Sequence, residues 1–189
     1  DAIALCQAAM KQDSSPAPAI ALAELCVANQ ASAEEWKRVE ARFARICKAA
    51  YDASTPVLVD AEESWIQQAI DDLAESQMAL YNKQRTIIFN TIQLYRHDRL
   101  AFLKDSFLRA QQGGYHLGVK LVRGAYMEKE RERAAEKGYL DPVQPDKEAC
   151  DRDYDAALEF CIEHLERIAL VAGTHNEKST LYLARLMQQ

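Results

Sequence analysis

Four short apolar runs, each followed by a stretch of helical periodicity, constrain this chain more than any other feature. They are Val57-Leu58-Val59, Thr86 to Gln93, Val119 to Val122 and Ile168 to Ala172. None shows the strict polar–apolar alternation of a strand wetted on one face, so each is expected to be buried on both faces. The segments between them repeat apolar residues every three or four positions, as with Leu100, Leu103, Phe107 and Ala110. Strand and amphipathic helix in alternation means parallel βαβ units with helices covering the sheet. A doubly wound sheet and a (β/α)8 barrel both satisfy that pattern, but no Gly-x-Gly-x-x-Gly follows any of the runs. We expect the four to be neighbouring parallel strands in sequential order.

Start and stop signals place the helices. Ser32-Ala33-Glu34-Glu35 is a capping-box pattern opening a helix with Trp36, Val39, Phe43 and Ile46 on one face. A long helix is expected over Glu63 to Tyr81. Asp98 can cap the next one, and Gly113-Gly114 can stop it. A charged helix spans Tyr126 to Lys137, and a loop through Pro142 and Pro145 leads to a helix carrying Tyr154, Leu158, Cys161 and Leu165. Asn176 can cap a final helix still running at Gln189. Residues 1–31 are expected to form a helical amino-terminal segment, broken around Pro16 and Pro18, that packs on the main body at 32–189.

With 189 residues the chain is long enough for one domain with a substantial core. A net charge of -6 argues against a general nucleic-acid binder, which needs a basic face. No apolar run approaches the roughly 20 residues of a membrane-spanning helix. The five cysteines include no Cys-x-x-Cys pair, which fits a reducing, cytoplasmic setting with thiols serving as small hydrophobes. Cys161 and His164 stand three apart on one helix, but a two-residue set is more simply structural than metal-binding.

Chemistry collects at the carboxyl ends of the strands, where Asp60, Gln93, Arg123, Thr174 and His175 fall. Each has a simpler explanation. Asp60 could cap a helix, Gln93 could face water, His175 could be a second cap beside Asn176, and Arg123 could pair with Glu128 or Glu130. What those explanations leave open is why polar residues of four strands share one end, which is where parallel α/β folds place their sites. Gly118 to Tyr126 adds a cation inside a strand, Lys120, and two small residues at its exit, Gly124 and Ala125. There a ligand can approach the backbone closely.

These stretches resemble the proline dehydrogenases, FAD-dependent enzymes that oxidise L-proline. Val57-Leu58-Val59-Asp60-Ala61-Glu62 is similar to their third barrel strand, and Ile88 to Tyr95 to the fourth. Lys120-Leu121-Val122-Arg123-Gly124-Ala125-Tyr126 resembles the fifth, and Gly173-Thr174-His175-Asn176 the end of the sixth. The resemblance runs from about Ser32 to the end of the chain. It implies a partial (β/α)8 barrel of four βα units and a catalytic role for Asp60 and Lys120. It also implies FAD contacts from Ala61, Gln93, Arg123, Gly124, Ala125, Thr174 and His175, with Tyr126 near the substrate. Lys120 falls where many bacterial members have an arginine near flavin N5, so the charge is kept and the bidentate fork lost.

The implied reaction moves a hydride from the proline ring carbon beside nitrogen to flavin N5. It gives Δ1-pyrroline-5-carboxylate, and electrons pass on to a quinone or another acceptor. A complete barrel takes roughly 250 residues. The chain is therefore expected to hold the central strands, to be inactive alone and to self-associate through open sheet edges. Hydroxyproline oxidation is the nearest alternative, and a non-catalytic half-barrel binding module a more distant one. The expected setting is cytoplasmic, with peripheral membrane contact and no nucleic-acid partner.

Overall fold

The structure, a computed structural model, describes residues 33–188. Its elements in chain order are α1 (Ala33–Asp52), β1 (Val57–Val59), α2 (Ser64–Tyr81), β2 (Ile88–Gln93), α3 (Arg99–Gly113), β3 (Leu117–Val122), α4 (Met127–Lys137), α5 (Lys147–Glu163), β4 (Ile168–Ala172) and α6 (Glu177–Leu186). The strands form one sheet in the order β1-β2-β3-β4, every neighbouring pair parallel. Asn90 lies beside Val59 and Val119, and Leu121 beside Ile92 and Ala172. Four strands in unbroken sequence favour the barrel-type arrangement, because a doubly wound sheet reverses its order after a few strands.

Alternation along the strands separates core from site. Val119 and Leu121 on β3, with Ile88 and Ile92 on β2, point to the helices and pack with Met78, Leu103, Tyr154 and Leu158. Lys120 and Val122, with Thr91 and Gln93, point to the opposite face. Gly118 is required on that face by close packing, since a Cβ there would lie 2.3 Å from the Ile88 carbonyl oxygen.

Two buried polar clamps fix the layers. The Asn82 amide accepts from the Ile87 and Ile88 N–H groups, both at 2.9 Å, and donates to the Ile88 and His116 carbonyls. It thereby ties the end of α2 to the starts of β2 and β3. Asp71 on α2 accepts from Arg99 at 2.7 Å, Asn90 at 2.7 Å and Gln67 at 2.9 Å, and its side chain is 1% exposed. That cluster locks α2, β2 and α3 together beneath the site.

The structure corrects several boundary expectations. Leu58 is 40% exposed rather than buried, because among the described residues β1 is an edge strand paired only with β2. Asp98 sits at the start of α3 without capping it, since its carboxylate is taken by the Arg96 guanidinium at 2.7 and 3.0 Å. Burial alone would raise the Asp98 carboxyl, but Arg96 and Arg99 outweigh that and hold it below the usual range. The last helix ends at Leu186 rather than continuing. Asn176 caps it as expected, accepting from the Lys178 and Ser179 N–H groups, and Gly114 ends α3 with a φ of 64°. The capping serine Ser32 and the segment 1–31 lie outside the described residues. No cluster suited to a metal ion occurs among the described residues.

Candidate active site

A cleft of about 680 Å3 opens at the carboxyl ends of the four strands. Asp60, Ala61 and Glu62 enter it from the end of β1, Thr91 and Gln93 from β2, and Lys120 and Val122 through Tyr126 from β3 and its exit. Gly173, Thr174 and His175 follow β4. Every candidate residue lines this one cavity: Asp60, Ala61, Gln93, Lys120, Arg123, Gly124, Ala125, Tyr126, Thr174 and His175. Parallel strands bring them together because each projects its carboxyl end to the same rim.

Lys120 lies beside Thr91 in register and reaches across β2 to form an ion pair with Asp60. The Asp60 side chain is 73% exposed, so solvent screens much of that pair. The simpler role for Asp60, a helix cap, is not what the chain uses: Glu63 occupies the N-cap position of α2. Gln93 donates from Nε2 to the Glu62 carbonyl at 2.7 Å, and Gln67 accepts from the Glu62 N–H at 2.8 Å. The loop carrying Asp60 to Glu62 is thus held on both sides of its backbone.

Arg123 is a hub. Its Nε donates to Asp151 at 2.6 Å, Nη1 to Thr174 at 2.7 Å and Nη2 to Ser179 at 2.9 Å, and its guanidinium lies 4.3 Å from the Tyr154 ring centroid. Pairing with Glu128 or Glu130 does not occur. Burial alone would raise the Asp151 carboxyl, but hydrogen bonds from Lys147 and Arg123 hold it below the ordinary carboxylate range. Gly124 follows with a φ of 136°, and a Cβ there would sit 2.2 Å from the Tyr95 ring. Gly124 and Ala125 both line the cleft and add little side-chain bulk to its wall.

Tyr126 donates its hydroxyl to Glu62 Oε2 at 2.6 Å. That bond, then desolvation, then the charges of Glu62, Glu63 and Asp60 push the phenol up to about 12. A raised phenol favours the protonated form. Any stability it contributes is therefore complete below pH about 10 and lost as pH rises through about 12. Ultraviolet titration should find one tyrosine fewer ionising late in Tyr126→Phe than in wild type; identical late titration would contradict this environment.

Sequence reasoning missed Glu62, Glu130 and Asp151. Glu130, fully buried on α4, accepts from both the N–H and hydroxyl of Ser64 at 2.6 Å, fastening the start of α2 to α4. Its place one helical turn after Tyr126 was the available signal; its partner, 66 residues away, was not visible. Glu63, at the N-cap of α2, pairs with Lys129 on α4.

A parallel β/α sheet with polar side chains of four strands converging on one carboxyl-end cleft defines an enzyme scaffold of the β/α-barrel class. The chain belongs to the proline dehydrogenase family, whose model matches residues 2–189. It is 32% identical over 166 residues to proline dehydrogenase 1, mitochondrial, of Drosophila melanogaster, covering 82% of this chain and 24% of that protein. It is 38% identical over 152 residues to the carbapenem antibiotics biosynthesis protein CarD of Pectobacterium carotovorum, covering 80% and 39%. It is 37% identical over 152 residues to hydroxyproline dehydrogenase of Xenopus laevis, covering 78% and 33%. The chain thus spans between about a quarter and two-fifths of these relatives. In fold it matches proline utilization A of Bdellovibrio bacteriovorus, crystallised after inactivation by N-propargylglycine, with a TM-score of 0.76 at 21% identity over 82% of this chain and 16% of that one. A bifunctional proline utilization A protein matches with a TM-score of 0.75 at 24% identity, covering 83% and 16%.

Proposed function

We propose that the cleft contributes to FAD-dependent oxidation of L-proline to Δ1-pyrroline-5-carboxylate, the first step of proline breakdown. The observation that carries this reading is the convergence of the third-to-sixth-strand residues of the family pattern on one cavity. The residues fit a flavin: Ala61, Gly124, Ala125 and Gly173 present little bulk, while Gln93, Thr174, His175 and Arg123 supply donors around them. When bound, FAD would supply the acceptor for the hydride released by substrate, which carries both electrons of the oxidation. In this reading Gln93, Arg123, Thr174 and His175 hold and orient the cofactor, and Gly124 and Ala125 let it lie against the backbone. Lys120 offers a fixed positive charge beside the reacting centre, kept in place by Asp60. Tyr126 bounds the substrate position. A quinone or another acceptor then removes the electrons.

No helix among the described residues is long and apolar enough to cross a membrane. The free, buried thiols of Cys47, Cys150 and Cys161 suit a reducing cytoplasmic setting, with peripheral contact to a membrane where a quinone is the acceptor. Hydroxyproline is the alternative substrate favoured by the relationship to the frog enzyme. Among the described residues the outer edges of β1 and β4 pair with no other strand, which favours self-association of the chain alone.

The test is dye reduction by the flavin-loaded full-length protein with L-proline and with hydroxyproline. Turnover favouring proline is expected; a colourless protein that stays colourless after incubation with FAD would point to a binding module instead. Loss of a donor should also weaken the cofactor. Gln93→Ala should bind FAD about 3–10-fold less tightly and Arg123→Ala about 10–100-fold less tightly. Equal flavin retention after gel filtration would contradict their roles.

A further inference from the structure

Two carboxylates line the cleft at its β1 rim, and they differ in what balances them. Asp60 is matched by the Lys120 ammonium. Glu62 is matched by no cation among the described residues, and its only side-chain partner is the neutral phenol of Tyr126, bound through Oε2. The neighbouring Glu63, which could have competed for a cation, already pairs with Lys129. Glu62 Oε1 accepts no hydrogen bond from the described residues, although the residue is half-buried and faces the cavity. Its backbone is held at both ends by Gln67 and Gln93, so the carboxylate cannot retreat by moving the loop. A half-buried, positioned carboxylate with a vacant acceptor and no counter-ion calls for a cation from elsewhere.

We infer that Glu62 is the substrate-binding residue for the ring ammonium of proline, and that it selects cationic five-membered rings over neutral ones. This deepens the reading given above and rests on it. Proline carries its ring nitrogen as a secondary ammonium with two N–H donors at neutral pH, a match for an acceptor-only oxygen. A ligand lying against Tyr126 comes within reach of Glu62, whose Oε2 is 2.6 Å from that hydroxyl. Tyr126 itself cannot balance the charge, because its phenol stays protonated until the pH approaches about 12. Asp60 is the poorer candidate, since binding substrate there would mean displacing Lys120.

The experiment compares two ligands of one shape on the flavin-loaded full-length protein: L-proline as substrate and its ring-oxygen analogue, tetrahydrofuran-2-carboxylate, as inhibitor. Glu62→Gln keeps the acceptor for Tyr126 and removes the charge. It should raise KM for proline between about tenfold and a hundredfold, the worth of a hydrogen bond to a charged partner, with the smaller change in kcat. The inhibition constant of the neutral analogue should stay close to wild type, and Glu62→Asp should keep more of the preference for proline. A parallel loss for both ligands, or an unchanged KM for proline, overturns the assignment. Failure of the wild-type protein to oxidise proline overturns the functional reading first, and the assignment with it. Unaltered flavin content and far-ultraviolet dichroism of Glu62→Gln show that folding is not what changed.

Discussion

Asp71→Ala should cost about 3–5 kcal/mol of unfolding free energy, among the largest single effects in the chain. Removing the carboxylate leaves the Arg99 guanidinium, whose side chain is 4% exposed, without its counter-ion. It also strips Asn90 and Gln67 of the acceptor they share. Asp98 lies near enough to act on the Arg99 charge but accepts its hydrogen bonds from Arg96, so it replaces little of what Asp71 supplies. Replacing both members of the pair, Asp71→Leu with Arg99→Leu, should recover part of the loss by removing the stranded charge. Recovery should stay incomplete, since the two amides remain unsatisfied. Urea denaturation of the single and double variants measures this. A cost below about 1 kcal/mol for Asp71→Ala would mean that the cluster is hydrated rather than closed.

Gly124→Ala is expected to be comparably damaging, by about 3 kcal/mol or more, and to disturb the site as well. Two penalties combine there. The φ of 136° is a conformation that L side chains rarely adopt, and the added methyl meets three atoms of the Tyr95 ring within 2.5 Å. Tyr95 is 5% exposed and packed against Val143 and Cys150, so the ring has no room to yield. Gly114→Ala provides the internal comparison. Its φ is 64° but nothing lies within 4 Å of a Cβ, so only the backbone penalty of about 1–2 kcal/mol applies. Tyr95→Ala should relieve part of the Gly124→Ala defect but none of the Gly114→Ala defect. Equal costs at the two glycines would remove the steric argument.

The parts of the fold visible in sequence were those set by local pattern. The strands β2 and β3 announce themselves because burial on two faces demands apolar runs, whereas β4, at the other edge of the sheet among the described residues, is fully buried only at Ile168. The helices announce themselves because burial of one face imposes a period. The candidate site was legible for a related reason: in parallel α/β folds the carboxyl end of a strand is a fixed address, so Asp60, Gln93, Arg123 and Thr174 could be assigned to one rim. What stayed hidden were partners far apart in the chain. Glu130 reads as one charge in a charged helix, yet it is fully buried on Ser64. Arg123 has acidic residues five and seven positions on, yet it pairs with Asp151 because the α5 side of the strand is where its guanidinium points. Leu58 sits in an apolar run, and hydrophobicity cannot tell an edge strand from a central one. At Asp98 the preference for aspartate as a helix cap does not foresee an arginine two residues earlier.

Whether this cleft presents proline to a bound flavin is decided by anaerobic titration of the FAD-loaded full-length protein with L-proline, following the absorbance of oxidised flavin. Saturable bleaching by proline is expected in wild type, with weaker flavin loading in Gln93→Ala and a higher half-saturation in Glu62→Gln. Flavin that stays oxidised in excess proline, or a wild-type protein that retains no FAD, would contradict it.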